Sequence, residues 1–407
     1  MTGSRYRWTV VALLWVVALL NYLDRQVIFA VFPLLQKELR VSSVELGLLG
    51  TAFLWIYGLL SPLGGWLADR FSRRGVILLS LAVWSVVTWL TGCARNYQEL
   101  LIARALMGIS EACYLPAALA LIADYHGEDT RARATGLHQS GLYAGIALGG
   151  VGGGWMGDHY GWRPAFLVLG VIGLLYALVL SASLKESPRP VRAAANSSRT
   201  PFSDAMRQLA SVRPFWVAVF ANALVSVAYW CIYTWLALFL FERFQVSLTT
   251  AGFSSTFYIQ AASFAGILAG GWLADRWTRR NIRGRLWTQA IGLFVAGPFL
   301  FLVGTTGNWW VLLPGLICFG LGRGFFDCNL MPVVCQMVPS NLRATAYGIL
   351  NSTSCIAGGV MAAAAGVFKE RIGLGGAIQI SAALLMVAAA CLALLRIRQP
   401  REAAVCV

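Results

Sequence analysis

Twelve stretches of about twenty mostly apolar residues follow one another along the 407-residue chain, and each is long enough to cross a bilayer. Their centres fall near residues 20, 56, 84, 111, 144 and 173, and then near 227, 261, 294, 322, 355 and 386. The expected fold class is therefore an all-α membrane protein with twelve transmembrane helices. Composition agrees: 12% of residues are charged, where a soluble domain carries about 25%. The first stretch, Trp8 to about Leu35, is too long for a signal-peptide core and contains Asn21, Asp24 and Arg25, so it reads as a retained helix.

The longest polar stretch separates the sixth span from the seventh. It runs from Lys185 to Arg213 and holds Pro188, Pro190, Pro201 and the Asn196-Ser197-Ser198 run. The expected organisation is an N-terminal six-helix bundle over 1–184, a cytoplasmic linker over 185–213 and a C-terminal six-helix bundle over 214–407. The net charge of +15 would suit nucleic acid, but its placement argues for topology. With both termini cytoplasmic, 22 of the 32 Lys and Arg fall in cytoplasmic segments, 7 in outside loops and 3 within spans. That bias is the positive-inside pattern of a multi-pass protein of the inner (plasma) membrane. The partners expected are thus the lipid bilayer and a small molecule, not nucleic acid, for a chain acting as a monomer. The nine cysteines are scattered as small apolar residues, with no metal set. No phosphate-binding Gly-x-x-x-x-Gly-Lys loop or Gly-x-Ser-x-Gly elbow occurs, so neither ATP drive, a cofactor nor an enzyme is expected.

Residues 64–74 read GGWLADRFSRR and residues 270–280 read GGWLADRWTRR. Nine of these eleven positions are identical, each copy follows the second span of its half, and such duplication marks a two-repeat transporter. A second echo places Glu111 five residues before Pro116 in span four and Asp327 five before Pro332 in span ten. The repeated loop resembles the signature of the major facilitator superfamily, with Ser72 and Thr278 where that family usually has glycine. The resemblance implies the major facilitator fold, two six-helix bundles. It also implies a conformational gate made by Asp69, Arg70, Arg73 and Arg74 and by Asp275, Arg276, Arg279 and Arg280. An acid there can pair with those arginines and with a neighbouring helix N-terminus.

Six ionisable residues fall within spans: Asp24, Arg25, Arg104, Glu111, Arg323 and Asp327. A central charge costs roughly 2.5–3.5 kcal/mol even on lenient scales, so such groups turn inward and pair. Arg104 and Glu111 lie two turns apart on one face, about 10 Å at 1.5 Å per residue, so each needs a partner elsewhere. Asp24 and Arg25 point about 100° apart. Asp24 with Arg104 is the expected cross-helix pair, and Arg323 and Asp327, four apart, can close on each other.

Together "NYLDR" at 21–25, "GWLADRF" at 65–71 and "RALMGISEA" at 104–112 resemble the anion:cation symporter branch. With "SEACY" at 110–114 they also resemble the spinster branch of lipid carriers. The first resemblance implies a secondary active transporter, a proton-coupled symporter of a small organic anion such as a sugar acid. Arg25 and Arg104 would bind the anion while Asp24 and Glu111 couple the proton; Asp327 in span ten, a carboxylate within the membrane, is a third proton candidate on its own chemistry. The Arg323/Asp327 set is outside that pattern. Tyr22, Tyr57, Gln139, Tyr233, Arg323 and Asn351 complete the expected substrate-binding set, and His138 is a further proton group to weigh. Span five carries Gly141, Gly145, Gly149, Gly153 and Gly157 at intervals of four, a stripe that lets another helix approach closely. It lacks the Gly-Pro pair of the family's exporters. The competing readings are a spinster-like lipid or drug exporter and a sensor that kept the carrier fold without transporting.

Overall fold

Helices account for nearly all of the computed structural model, which describes residues 2–186, 202–339 and 342–397. In the first part of the chain they are α1 (Thr2–Ala30), α2 (Phe32–Leu39), α3 (Ser43–Arg70), α4 (Arg73–Cys93), α5 (Tyr97–Glu111), α6 (Tyr114–Tyr125), α7 (Glu128–Tyr160) and α8 (Trp162–Ser183). Then follow α9 (Phe202–Ala210), α10 (Arg213–Phe244), α11 (Leu248–Thr278), α12 (Gly284–Thr305), α13 (Trp309–Met337) and α14 (Arg343–Leu394). The twelve spans are α1, α3, α4, the α5–α6 pair, α7, α8, α10, α11, α12, α13 and the two halves of α14. That last helix turns at Gly373, whose φ of 74° favours a residue without Cβ. Of the expected linker, Pro188, Pro190, the Asn196-Ser197-Ser198 run and Pro201 lie outside the described residues. Its far end forms α9, which buries Leu209.

Local chemistry sets the helix starts. Ser42 and Glu45 form a reciprocal capping box on α3. Ser72 caps α4 through the Gly75 N–H, and Asn96 caps α5 through the Glu99 N–H.

Contacts divide the chain into two units. One comprises Met1–Ser197 with Tyr233–Phe257; the other comprises Ser198–Ile232 with Tyr258–Val407. In the first unit the glycine stripe of α7 lies along α1. A Cβ added at Gly141, Gly145 or Gly149 would come closer than 3.0 Å to the carbonyl oxygens of Trp15, Leu19 and Leu23 in turn. Neighbouring positions of α7 meet the start of α11: Gly150 packs on Gly252 and Thr256, and Gly154 on Leu248. The Asp158 carboxylate then accepts the N–H groups of Leu248 (3.0 Å) and Thr249 (2.8 Å) and the Thr249 hydroxyl (2.6 Å). Gly108 seats α5 against the Phe53 carbonyl of α3, which brings spans two and four together where the charges lie. The apolar core of this unit gathers Leu14 and Val17 of α1, Leu81 and Trp84 of α4 and Tyr114 and Leu121 of α6. In the second unit Gly292 of α12 packs on Gly322 of α13, and Gly320 and Gly324 of α13 on Ile259 and Ser263 of α11.

Candidate functional site

Glu111 is the last residue of α5, and span four breaks directly after it. Pro116, in the first turn of α6, has no N–H to offer the Ala112 carbonyl, so the helix does not run through. The break leaves Glu111 fully buried, its Oε2 accepting from Arg25 Nε across spans four and one. The Arg25 guanidinium lies 4.5 Å from the centre of the Tyr57 ring, 4.6 Å from Tyr22 and 4.8 Å from Phe53. A cation over an aromatic face is worth about 0.5–2 kcal/mol, more as water is excluded. These rings partly replace the hydration Arg25 gives up.

Arg104 is also fully buried, 4.7 Å from the same Phe53 ring and 5.9 Å from Phe29. It donates from Nε to the Leu49 carbonyl (3.4 Å) and from Nη1 to the Met107 sulfur (3.1 Å). Its Nη2 has no hydrogen-bond partner among the described residues, and no carboxylate lies within ion-pair distance there. Asp24 turns to the third span, where Thr88 donates to its Oδ2 at 3.3 Å. The Trp84 indole N–H faces Asp24 and the Asn21 amide faces Glu111, each short of hydrogen-bond geometry.

One sequence expectation is corrected here. The cross-helix ion pair joins Arg25 to Glu111, not Asp24 to Arg104. The 100° step from Asp24 to Arg25 aims Arg25 at α5 and Asp24 at α4, which leaves Arg104 only neutral acceptors. In the second loop copy, Asp275 pairs at 2.6 Å with Arg285 of the following helix instead of with Arg276, Arg279 or Arg280. Arg276 lies over Trp272 instead. In the first copy Arg73 pairs with Asp124 at the end of α6, and Arg74 donates to the Ser181 carbonyl at 2.5 Å. Arg70 is exposed over Trp66, and the side chain of Asp69 lies outside the described part of the chain.

Of the remaining expected residues, Tyr22 and Tyr57 join Arg25. Tyr233 offers its carbonyl to the Gln26 amide at 3.4 Å. Gln139 and Asn351 are half-buried, and among the described residues neither hydrogen-bonds to a charged side chain. His138 meets the Tyr114 hydroxyl at 2.9 Å; that hydroxyl gives its proton to the Leu14 carbonyl, so Nε2 of His138 carries the hydrogen in this bond. In the second unit Arg323 closes on Asp327 at 3.1 Å, as their spacing allows, and reaches Gln260 of α11 at 3.2 Å. Phe53, Trp84 and Thr88 escaped the sequence reading. The signal was present: Phe53 precedes Tyr57 by four residues and Trp84 precedes Thr88 by four, so each pair shares a helix face.

Known proteins resemble this chain over most of its length. The model of the Major Facilitator Superfamily matches residues 14–363. A D-galactonate transporter of Escherichia coli O6:H1 is 24% identical over 411 residues, covering 95% of this chain and 94% of that protein. Spinster homolog 1 of Xenopus laevis is 29% identical over 321 residues, covering 74% of this chain and 61% of that protein. The crystal structure of a bacterial homolog of the human lysosomal transporter Spinster, inward-facing and occupied, superposes with a TM-score of 0.81. It is 23% identical, with 96% of this chain and 97% of that one covered, a likeness of fold alone.

Proposed function

The chain belongs to the major facilitator superfamily, transporters rather than enzymes, and from that premise we propose that it carries a small organic anion together with a proton. One observation supports this above all: a buried cluster of two acids and two arginines in which only one ion pair is closed. With Asp24, Arg25, Arg104 and Glu111 all ionised the cluster sums to zero. A proton on Glu111 alone leaves one positive charge in a low-dielectric interior, and an anion alone leaves one negative charge. Either is costly there, whereas the two together restore neutrality. Each ligand therefore favours the other, which is the thermodynamic content of symport.

In this reading a proton on Glu111 releases Arg25, whose ring of Tyr22, Phe53 and Tyr57 holds it in place while it takes a carboxylate. Arg104 adds a second positive charge behind it. Asp24, held by Thr88, is the second carboxylate available to the proton. The substrate class that fits is a small carboxylate such as a sugar acid, in keeping with the galactonate transporter among the relatives. The bundles of 1–184 and 214–407 would alternate access as a monomer in the inner membrane, with both termini cytoplasmic. The repeated loops would act as its gate.

The test is uptake by full-length protein in proteoliposomes under an imposed pH gradient, using D-galactonate, related sugar acids and a lysolipid. Uptake of a sugar acid should follow the inward proton gradient, and Glu111→Gln should abolish that dependence while leaving binding. Lysolipid movement that is indifferent to both Glu111 and Arg25, with no carboxylate uptake, would replace the proposal with the spinster-like reading that the Xenopus relative also allows.

A further inference from the structure

The second unit holds its own buried pair, and its setting differs from a helix-surface salt bridge. Arg323 and Asp327 lie one turn apart on span ten, joined at 3.1 Å. Arg323 is also mounted from two other helices: Nη1 donates to Gln260 of α11 at 3.2 Å, and the guanidinium lies 5.3 Å from the Tyr229 ring of α10. Tyr229 is itself fixed edge-on by Phe319 at 5.7 Å and Phe326 at 6.5 Å. The arginine is thus held by more than its acid. The Asp327 side chain keeps 27% of its surface accessible, while that of Glu111 keeps none. A charged carboxylate inside a span is costly against hydrocarbon, so this accessible face suits a solvated passage and not lipid.

We propose that Asp327 is a second proton-loading site, distinct from the Glu111 cluster, at which a proton displaces the ion pair while Gln260 and Tyr229 hold Arg323 in place. The proton binds a carboxylate oxygen of Asp327 and breaks no covalent bond; Arg323 stays charged. Among the described residues, the other charged or thiol groups nearby are Asp275 of α11 and Arg285 of α12, which pair with each other, and the Cys328 thiol on the same helix. The inference rests on the proton-coupled reading, yet it fails separately from it.

The experiment titrates purified full-length protein by infrared difference spectroscopy in the protonated-carboxyl region, with proton uptake after an acid jump counted by a pH dye. Wild type should show a carboxyl signal that disappears in Asp327→Asn, with about one proton fewer taken up per molecule. Asp327→Glu should keep the proton count and move the band, which preserves the test if the asparagine variant does not fold. The Glu111→Gln control should lose a different signal. If Asp327→Asn and Asp327→Glu both superpose on wild type, the second site is refuted whatever the control shows. If only the Glu111 signal is missing throughout, the coupling at Glu111 fails instead and Asp327 stands as the loading site.

Discussion

Removing Arg25 leaves Glu111 ionised and unpaired inside the helix bundle, and breaking a buried pair from one side costs about 3–5 kcal/mol. Arg25→Gln is therefore expected to lower thermal stability by about that amount. Glu111→Gln should cost less, because the rings of Tyr22, Phe53 and Tyr57 still surround the freed Arg25 guanidinium. The double variant Arg25→Gln/Glu111→Gln should recover most of the stability lost in Arg25→Gln, and none of the uptake. Unfolding curves of the four proteins give the coupling directly, and additive losses would show that the pair is not the unit. The four charged residues of this cluster were legible because ionisable groups are rare in apolar spans. Their pairing was not. Spacing gives the face of a residue on an unbroken helix, but span four breaks after Glu111, and the direction of Asp24 is decided by Thr88 and Trp84 on a helix sixty residues away in sequence.

At the scale of elements, α7 is unusual in having two faces without side chains. The stripe of Gly141, Gly145 and Gly149 is visible in the sequence as a period of four, and it does meet a helix, α1. The second stripe, Gly150 and Gly154, was hidden because its partners, Gly252 and Leu248, lie about a hundred residues further on. The close approach on the first face matters for the site, because α1 carries Tyr22, Asp24 and Arg25. Gly145→Leu would drive a side chain into the backbone of α1 at Leu19, and overpacking of this kind costs typically 1–3 kcal/mol. It should lower stability by that amount and weaken anion uptake through the displaced Arg25. Gly152 on the same helix has open space where its Cβ would go, so Gly152→Ala should leave both unchanged. Equal behaviour of the two variants in unfolding and uptake would remove the packing argument.

Taken as a whole, the molecule repeats a sequence without repeating its contacts. The two loops are identical at nine of eleven positions, and the fold follows that duplication. Yet Arg73 reaches forward to Asp124 of the α5–α6 span, while Asp275 is taken by Arg285, which also donates to Asn329 of α13 at 3.3 Å. The difference could not be read from the motif, because the partners lie outside it. It has a consequence for the proposed gate, since only contacts made in one state and lost in the other bias an alternation. The Arg285–Asp275 pair is open, with side chains 22% and 62% accessible, and exposed pairs contribute about 0–1 kcal/mol. The Arg73–Asp124 pair is more enclosed, at 15% and 18%. Arg285→Gln should therefore leave the unfolding temperature nearly unchanged while altering the rate of uptake, and Arg73→Gln should lower both. If the two substitutions have the same effect on stability and on rate, the two loops act as equivalent gates despite their different partners.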